Sequence, residues 1–177
     1  MSERERRVRW DDPRETLARV VERRLSGLEF LRAMAAGEIP PPPIGLLLGF
    51  TIESAEPGSV TFGFQPAEHH YNPNCVVHGG VAATLLDTVV GCAVTTLLPF
   101  GTTCATLELK VSYIRSLTAD SPWTRCTGAV LHHGRRSAVA EGRLLAPDGK
   151  LIAHATSTLL VIGPGEDPHG SRSASSF

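Results

Sequence analysis

Between residues 81 and 98 the chain reads VAATLLDTVVGCAVTTLL, apolar on every face apart from Asp87 and four threonines. A helix of this kind has no solvated side, so it must be surrounded by lipid or by the rest of the protein. Its length just reaches across a bilayer, but a mid-helix Asp is expensive in hydrocarbon and no basic flank orients the segment. The neighbouring sequence offers a better cover. Val60, Phe62 and Phe64 alternate with Thr61, Gly63 and Gln65. In TLELKVSYIR, Leu107, Leu109, Val111 and Tyr113 alternate with Thr106, Glu108, Lys110 and Ser112, the period-two pattern of a half-buried strand. Residues 122–131, 137–146 and 151–162 form three more apolar runs, separated by the turn-rich HHGRR and APDGK, and read as an antiparallel meander. Strands that need a core element and a helix that needs a cover together predict an α+β domain, an antiparallel sheet curled around one long central helix.

The flanking segments are of a different kind. Residues 1–24 hold eight Arg and six acidic residues, 14 of the chain's 35 charged side chains, and must be largely solvated. Asp12-Pro13 reads as an N-cap followed by proline at the first helical position, with Leu17, Val20, Val21 and Leu25 at helical spacing. Ser26 can cap a second short helix through Leu28, Phe30, Leu31 and Met34, ending at Gly37 before Pro40 to Pro43 stop any helix. Residues 1–47 are therefore expected to form an N-terminal helical appendage, 48–162 the main domain, and 163–177, without apolar period, a disordered tail.

Composition excludes several classes of function. A formal net charge of -1 gives no global positive field to gather nucleic-acid phosphates. Four cysteines lie 17, 12 and 22 residues apart without a CxxC pair, so zinc or dithiol chemistry is not expected, and the thiols read as reduced. The charged N-terminus lacks the apolar stretch of a signal peptide, which points to the cytoplasm. There is no GxSxG elbow, HExxH, GxxxxGK or GxGxxG. His69, His70 and His78 have no suitably spaced carboxylate or cysteine to complete a metal site, so no metal and no resident cofactor are expected.

The chemistry concentrates in HHYNPNCVVHGGVAATLLD, residues 69–87. Asn72-Pro73 starts a turn, and Gly79-Gly80 strips side chains from the backbone where the buried helix begins. A helix start presents unpaired N–H groups and about half a positive charge, so a carbonyl oxygen docked at Gly79 and Gly80 would be polarised. The bland alternative for a glycine pair is a packing turn. Asp87 favours the chemical reading, because an ionised carboxylate in an apolar helix is costly by several kcal/mol unless paired or used, and no Lys or Arg lies within a turn of it. Its structural alternative is a bond to Thr84, to Thr88 or to a distant Arg; its chemical role is general base or nucleophile. Asp87 is eight residues beyond Gly79, hence about 12 Å along the helix, whereas attack on a bound carbonyl needs contact near ~3 Å. Two copies pairing their helices antiparallel about a two-fold axis would bring each Asp87 to the other chain's Gly79. A homodimer at minimum is expected, and a tetramer is open.

NPNCVVHGGVAATLLDTVVG, followed by TLELKVSYIR and HHGRRSAVAEGRL, resembles the hotdog-fold acyl-CoA thioesterases of the PaaI-like type, over residues 48–162 in order and spacing. The resemblance implies a hotdog fold and a thioester hydrolase acting on acyl-CoA. It implies that Asn72 and His78 help fix substrate and water, that Gly79 N–H polarises the thioester carbonyl with Gly80 beside it, and that Asp87 of the facing subunit activates water or attacks. Thr106 stands where such proteins carry a Ser or Thr that orients the water. Two departures stand out: Cys75 where family loops often have glycine, and Ser116 where they have proline. Coenzyme A carries phosphates, and Arg135 and Arg136 at the meander turn are the expected contacts, with a solvated hairpin tip as the alternative. The rival readings are a hotdog dehydratase acting on hydroxyacyl thioesters and a non-catalytic acyl-CoA sensor.

Overall fold

Why the long apolar helix needs no lipid is clear from a computed structural model, which describes residues 3–165. The expected tail lies outside them from residue 166 onward. Six strands form one antiparallel sheet: β1 (Phe50–Glu56), β2 (Ser59–Phe64), β3 (Thr103–Tyr113), β4 (Thr124–His133), β5 (Ser137–Leu145) and β6 (Leu151–Ile162). Their order across the sheet is β1-β2-β4-β5-β6-β3, so the meander β4-β5-β6 sits at the centre and β3 is an edge. The sheet curves around a single long helix in the α+β hotdog arrangement. Among the described residues no helix is long and apolar enough to cross a membrane.

Three shorter helices precede the sheet: α1 (Pro13–Glu22), α2 (Gly27–Ala35) and α3 (Pro43–Leu48). Asp12 caps α1 through Arg14 N–H, and Ser26 and Glu29 form a reciprocal capping box on α2, as their positions predict. α2 ends at Ala35, ahead of the proline run and with Gly37 behind it at φ 76°, and the run does not abolish helix beyond it. Pro43 occupies the first turn of α3, where its missing N–H has no intrahelical partner to lose, and Gly49 closes that helix at φ 75°.

The central helix, α4 (Gly79–Thr95), begins two residues earlier and ends three sooner than the apolar run. Val81, Ala82, Leu85, Leu86, Val89, Val90, Ala93 and Val94 are buried on the concave face of the sheet. Leu86, Val89 and Val90 are fully buried, and each contributes roughly 1.5–3 kcal/mol of burial. The helix backbone comes close to β4 at Gly128, where a Cβ would stand 2.4 Å from the Val89 carbonyl oxygen. Only glycine allows that approach.

The expectation that α4 is covered on every side is corrected. Ala83, Thr84, Asp87, Thr88, Gly91, Cys92 and Thr95 form a half-buried stripe along the helix, where Gly27 of α2 approaches Thr95 and the Cys104 thiol of β3 reaches the Gly91 carbonyl. Small and hydroxylic residues occupy this stripe while the branched aliphatic ones face the sheet, so the period that was hidden by threonine and glycine is present after all.

A second correction concerns β3. Pairing with β6 runs regularly from Thr103↔Ile162 to Thr106↔Leu159, then resumes at Glu108↔Thr158, with a bulge at Leu107. Leu107 is left 62% exposed instead of facing the core with Leu109 and Val111. The extra residue resets the alternation, so Thr106 shares a face with Leu109, Val111 and Tyr113. That face looks at α4.

Candidate active site

Asp87 lies midway along the half-buried stripe of α4, and Thr106 Oγ1 donates a hydrogen bond to its Oδ1 over 2.8 Å. The two threonines nearest in sequence are engaged elsewhere: Thr84 Oγ1 donates to Gly80 O over 2.9 Å, and Thr88 Oγ1 donates to Thr84 O over 2.7 Å. Among the described residues no cation forms an ion pair with Asp87. The carboxylate is half-buried in the single chain, not enclosed within it, so the expectation of an interior acid does not hold for one protomer.

At the start of the helix, His78 is the N-cap, and its Nδ1 accepts the Gly80 N–H over 2.8 Å. An accepting Nδ1 leaves the hydrogen of a neutral ring on Nε2, which is thus available as a donor. The arrangement corrects the expectation that both glycines offer their amides. Gly80 N–H is occupied by the cap, whereas Gly79 N–H has no acceptor among the described residues. The Tyr113 ring packs over Gly79, where a Cβ would meet ring carbons at 3.2 and 3.3 Å. β3 therefore serves both ends of the site, with Thr106 at the acid and Tyr113 at the amide. Tyr113 was not singled out by sequence reasoning, and its place in the apolar alternation of β3 gave no sign of that role.

The loop before the helix is organised by Asn72. Its Oδ1 accepts the Asn74 N–H over 2.8 Å and the Val76 N–H over 3.5 Å, and its backbone N–H donates to Val76 O over 2.8 Å. Asn72 thus shapes the turn that leads to His78, with its side-chain oxygen already engaged. Cys75 adopts φ 57°, the left-handed conformation for which glycine is best suited. Cys75 therefore carries the strain that a glycine would not.

His70 is buried beneath this loop, where its Nδ1 accepts the Ala67 N–H over 3.0 Å and its Nε2 faces Leu48 O at 3.0 Å. Burial, with the adjoining His69, pushes the pKa of the ring down to about 4, so it is a neutral structural member. His69 also lies below its ordinary range, through burial and the Arg6 guanidinium beside it. No group of three or more His, Cys, Asp or Glu among the described residues is arranged to hold a metal ion. Nor is there an activated thiol in the core: burial pushes Cys92 and Cys126 up to about 12 and raises Cys104.

Around the helix start a cleft of about 590 Å³ is walled by Ile44, Leu47, Tyr71, His78, Gly80 and Thr84. Arg135 and Arg136 are exposed in the β4–β5 turn. Thr106 pairs with Leu159 and Leu159 with Ala138, so that turn follows a residue row two strands away from Thr106, about 10 Å across the sheet. His154 is on the outer face, with Nε2 at 3.4 Å from Glu141 Oε2, away from the helix.

Gly79 and Asp87 remain separated along one helix. The structure brings Thr106 to Asp87 and His78 to Gly80 as two separate clusters of one chain.

Residues 74–153 match the family model described as the Thioesterase superfamily. A provisionally named esterase of Halobacterium salinarum is 34% identical over 128 residues, covering 68% of this chain and 82% of the relative. Among solved structures, a phenylacetic acid degradation-related protein of Ralstonia eutropha, provisionally a thioesterase, is 32% identical. The match covers 73% of this chain and 98% of that one, with a TM-score of 0.67. The Escherichia coli PaaI protein, from the phenylacetic acid degradation operon, shares the fold at 21% identity and a TM-score of 0.68, over 79% of this chain and 97% of that one.

Proposed function

The chain belongs to the thioesterase superfamily, as a PaaI-like member with the hotdog fold, and from that premise we propose that it hydrolyses acyl-CoA thioesters to a free acid and coenzyme A at two sites shared across a homodimer. The observation that carries this reading is the Thr106–Asp87 hydrogen bond on the half-buried stripe of α4. A carboxylate held on one oxygen by a hydroxyl and left unpaired by cations is oriented for proton transfer rather than locked into structure.

In the general-base form of the reaction, Asp87 removes a proton from water and the hydroxide oxygen bonds to the thioester carbonyl carbon. The carbonyl π electrons move onto oxygen, where the partner copy's Gly79 N–H and the positive end of its α4 stabilise the charge. Collapse of the tetrahedral intermediate breaks the C–S bond, and the proton held by Asp87 passes to the departing thiolate. Thr106 donates its hydroxyl hydrogen to Asp87 Oδ1 and still has lone pairs to accept a hydrogen from the attacking water. His78 Nε2–H supplies a further donor beside the acyl group, and Asn72 holds the loop that positions His78. In the nucleophilic form, Asp87 attacks the carbonyl carbon, the intermediate expels the coenzyme A thiolate to leave a mixed anhydride, and water hydrolyses that anhydride to the free acid and the regenerated Asp87 carboxylate, a proton released from the water passing to the thiolate; the same residues orient both.

The dimer is supported by two features of the single chain. The stretch of α4 around Ala83, Thr84 and Asp87 is only half-buried, and β3, which bears Leu107 at 62% exposure, is an edge strand of the sheet. Arg135 and Arg136 suit the phosphates of coenzyme A as exposed cations near the row of Thr106.

The test is thiol release from a panel of acyl-CoAs by the wild-type protein and by Asp87→Asn. Hydrolysis by the wild type, lost by a factor of 100 or more in the variant with binding of a non-hydrolysable thioether analogue retained, is the expected result. Unchanged turnover in Asp87→Asn would overturn the assignment of the acid. Binding without turnover by the wild type would favour the sensor, and hydration of an enoyl thioester in place of hydrolysis would favour the dehydratase.

A further inference from the structure

Over the part of the α4 stripe that holds Thr88 and Cys92 lies a second cavity, of about 510 Å³, built largely by the N-terminal segment. Its walls include Phe30 and Met34 of α2, Phe62 of β2 and the proline run Pro40 to Pro43, and Leu17 of α1 stands over it. Its floor is the turn of α4 that carries Thr88 and Cys92. Thr88 immediately follows Asp87, so the floor begins about 1.5 Å further along the helix and about 100° around it.

The lining is uncharged apart from Asp11, and the polar groups on the floor are already spent. Thr88 Oγ1 donates to Thr84 O, and burial keeps the Cys92 thiol protonated. The volume falls within the range of small-molecule sites, about 300–1,000 Å³, and exceeds what a close-packed core leaves empty. α1 contributes to the same picture. No residue of α1 is buried, although Thr16, Leu17 and Val20 line the cavity, so the apolar side of this helix faces open volume instead of core.

We propose that this cavity receives the acyl chain of the thioester, and that Leu17, Phe30 and Met34 of the N-terminal segment select for uncharged, extended acyl groups. The proposal rests on the hydrolase reading above and assigns a role to residues outside the family match, which begins at residue 74. A thioester carbonyl held against Asp87 directs its alkyl arm over Thr88 and between α2 and β2, while the coenzyme leaves on the side of the partner copy's His78 and Gly79. The chain that supplies the acid therefore also supplies the acyl pocket. A carboxylate-tipped acyl group would meet no cation in the lining and would face Asp11.

Thiol release from acetyl-, butanoyl-, octanoyl- and succinyl-CoA, together with calorimetric binding of the non-hydrolysable thioethers S-ethyl-CoA and S-octyl-CoA, tests the assignment. Two variants are used: Met34→Trp, which fills the cavity, and Leu17→Asp, which places a charge on an exposed position and leaves the core untouched. The expected result is octanoyl-CoA preferred over succinyl-CoA by at least tenfold in kcat/KM. Both variants should lower octanoyl-CoA turnover and S-octyl-CoA affinity by about tenfold while acetyl-CoA stays within a factor of two. Equal effects on all chain lengths, or none in Leu17→Asp, would overturn the pocket while leaving hydrolysis standing. Chain-length-dependent binding that both variants abolish, in a wild-type protein that releases no thiol from any substrate, would overturn the hydrolase reading and keep the pocket.

Discussion

Thr106 Oγ1 donates to Asp87 Oδ1 over 2.8 Å, although strict alternation along β3 would turn Thr106 away from the helix that carries the acid. The bulge at Leu107 reconciles the two, because one extra residue lets Thr106 and Leu109 share a face. If the hydroxyl orients Asp87 and the attacking water, Thr106→Val should lower kcat by roughly ten- to a hundredfold with little change in KM. Thr106→Ser keeps the hydroxyl and should restore most of the rate. A Val variant with wild-type kcat in steady-state thiol release would remove Thr106 from the site.

Cys75 provides a test of the loop through stability. At φ 57° an L side chain is disfavoured by roughly 1–2 kcal/mol, part of which a glycine recovers and part of which it loses to the greater freedom of the unfolded chain. Cys75→Gly should leave the protein equally stable or up to about 1 kcal/mol more stable, and fully active. Cys75→Val, β-branched at a positive φ, should lower the denaturation midpoint. Urea melts of the two variants against the wild type measure the difference, and a Gly variant less stable than the Val variant would contradict the loop geometry.

His70 makes stability depend on pH in a defined direction. Its folded pKa is held down to about 4, below the ordinary 6.5, because burial and the His69 ring disfavour the imidazolium. The unfolded chain therefore binds more protons between those two values. Stability from this residue is fully present above about pH 6.5 and is lost as the pH falls toward 4, by up to about 3 kcal/mol. Protonation would also give Nδ1 a hydrogen where it now accepts one from Ala67 N–H. Urea unfolding at pH 7.5 and pH 5 should show a lower midpoint in acid, and His70→Gln should flatten that difference while being less stable at pH 7.5.

Much of this architecture is legible in the sequence. The meander, the caps at Asp12 and Ser26, and the one long helix follow from local periodicity and capping chemistry, which depend on residues close together in the chain. The glycine pair and Asp87 follow from residue types that an apolar helix would otherwise reject. What stayed hidden depends on neighbours distant in sequence. Threonine and glycine on α4 count as compatible with burial, so the half-buried stripe emerges only when the sheet is seen to cover the other side. The Leu107 bulge is set by pairing with β6, and nothing in TLELKVSYIR announces it. Gly80 could not be separated from Gly79 until the His78 ring was found on its amide. The cavity under α1 joins six separate stretches of the chain, and no local pattern reports it.

The separation of Gly79 from Asp87 along one helix gives the dimer its sharpest test, because a shared site permits two dead chains to repair each other. Gly79→Val spoils the amide end of its own chain through the Tyr113 ring, and Asp87→Asn removes the acid, so each variant alone is expected to be inactive. After random reassortment of an equal mixture, about half the dimers are mixed, and each mixed dimer has one site built from the intact Gly79 of one chain and the intact Asp87 of the other. Activity should return to about a quarter of the wild-type value per chain, from half the dimers with one working site in two. Co-expression or denaturant-assisted exchange, followed by thiol release, reads the number directly. A site completed within a single chain predicts no recovery, since every chain in the mixture lacks one of the two groups.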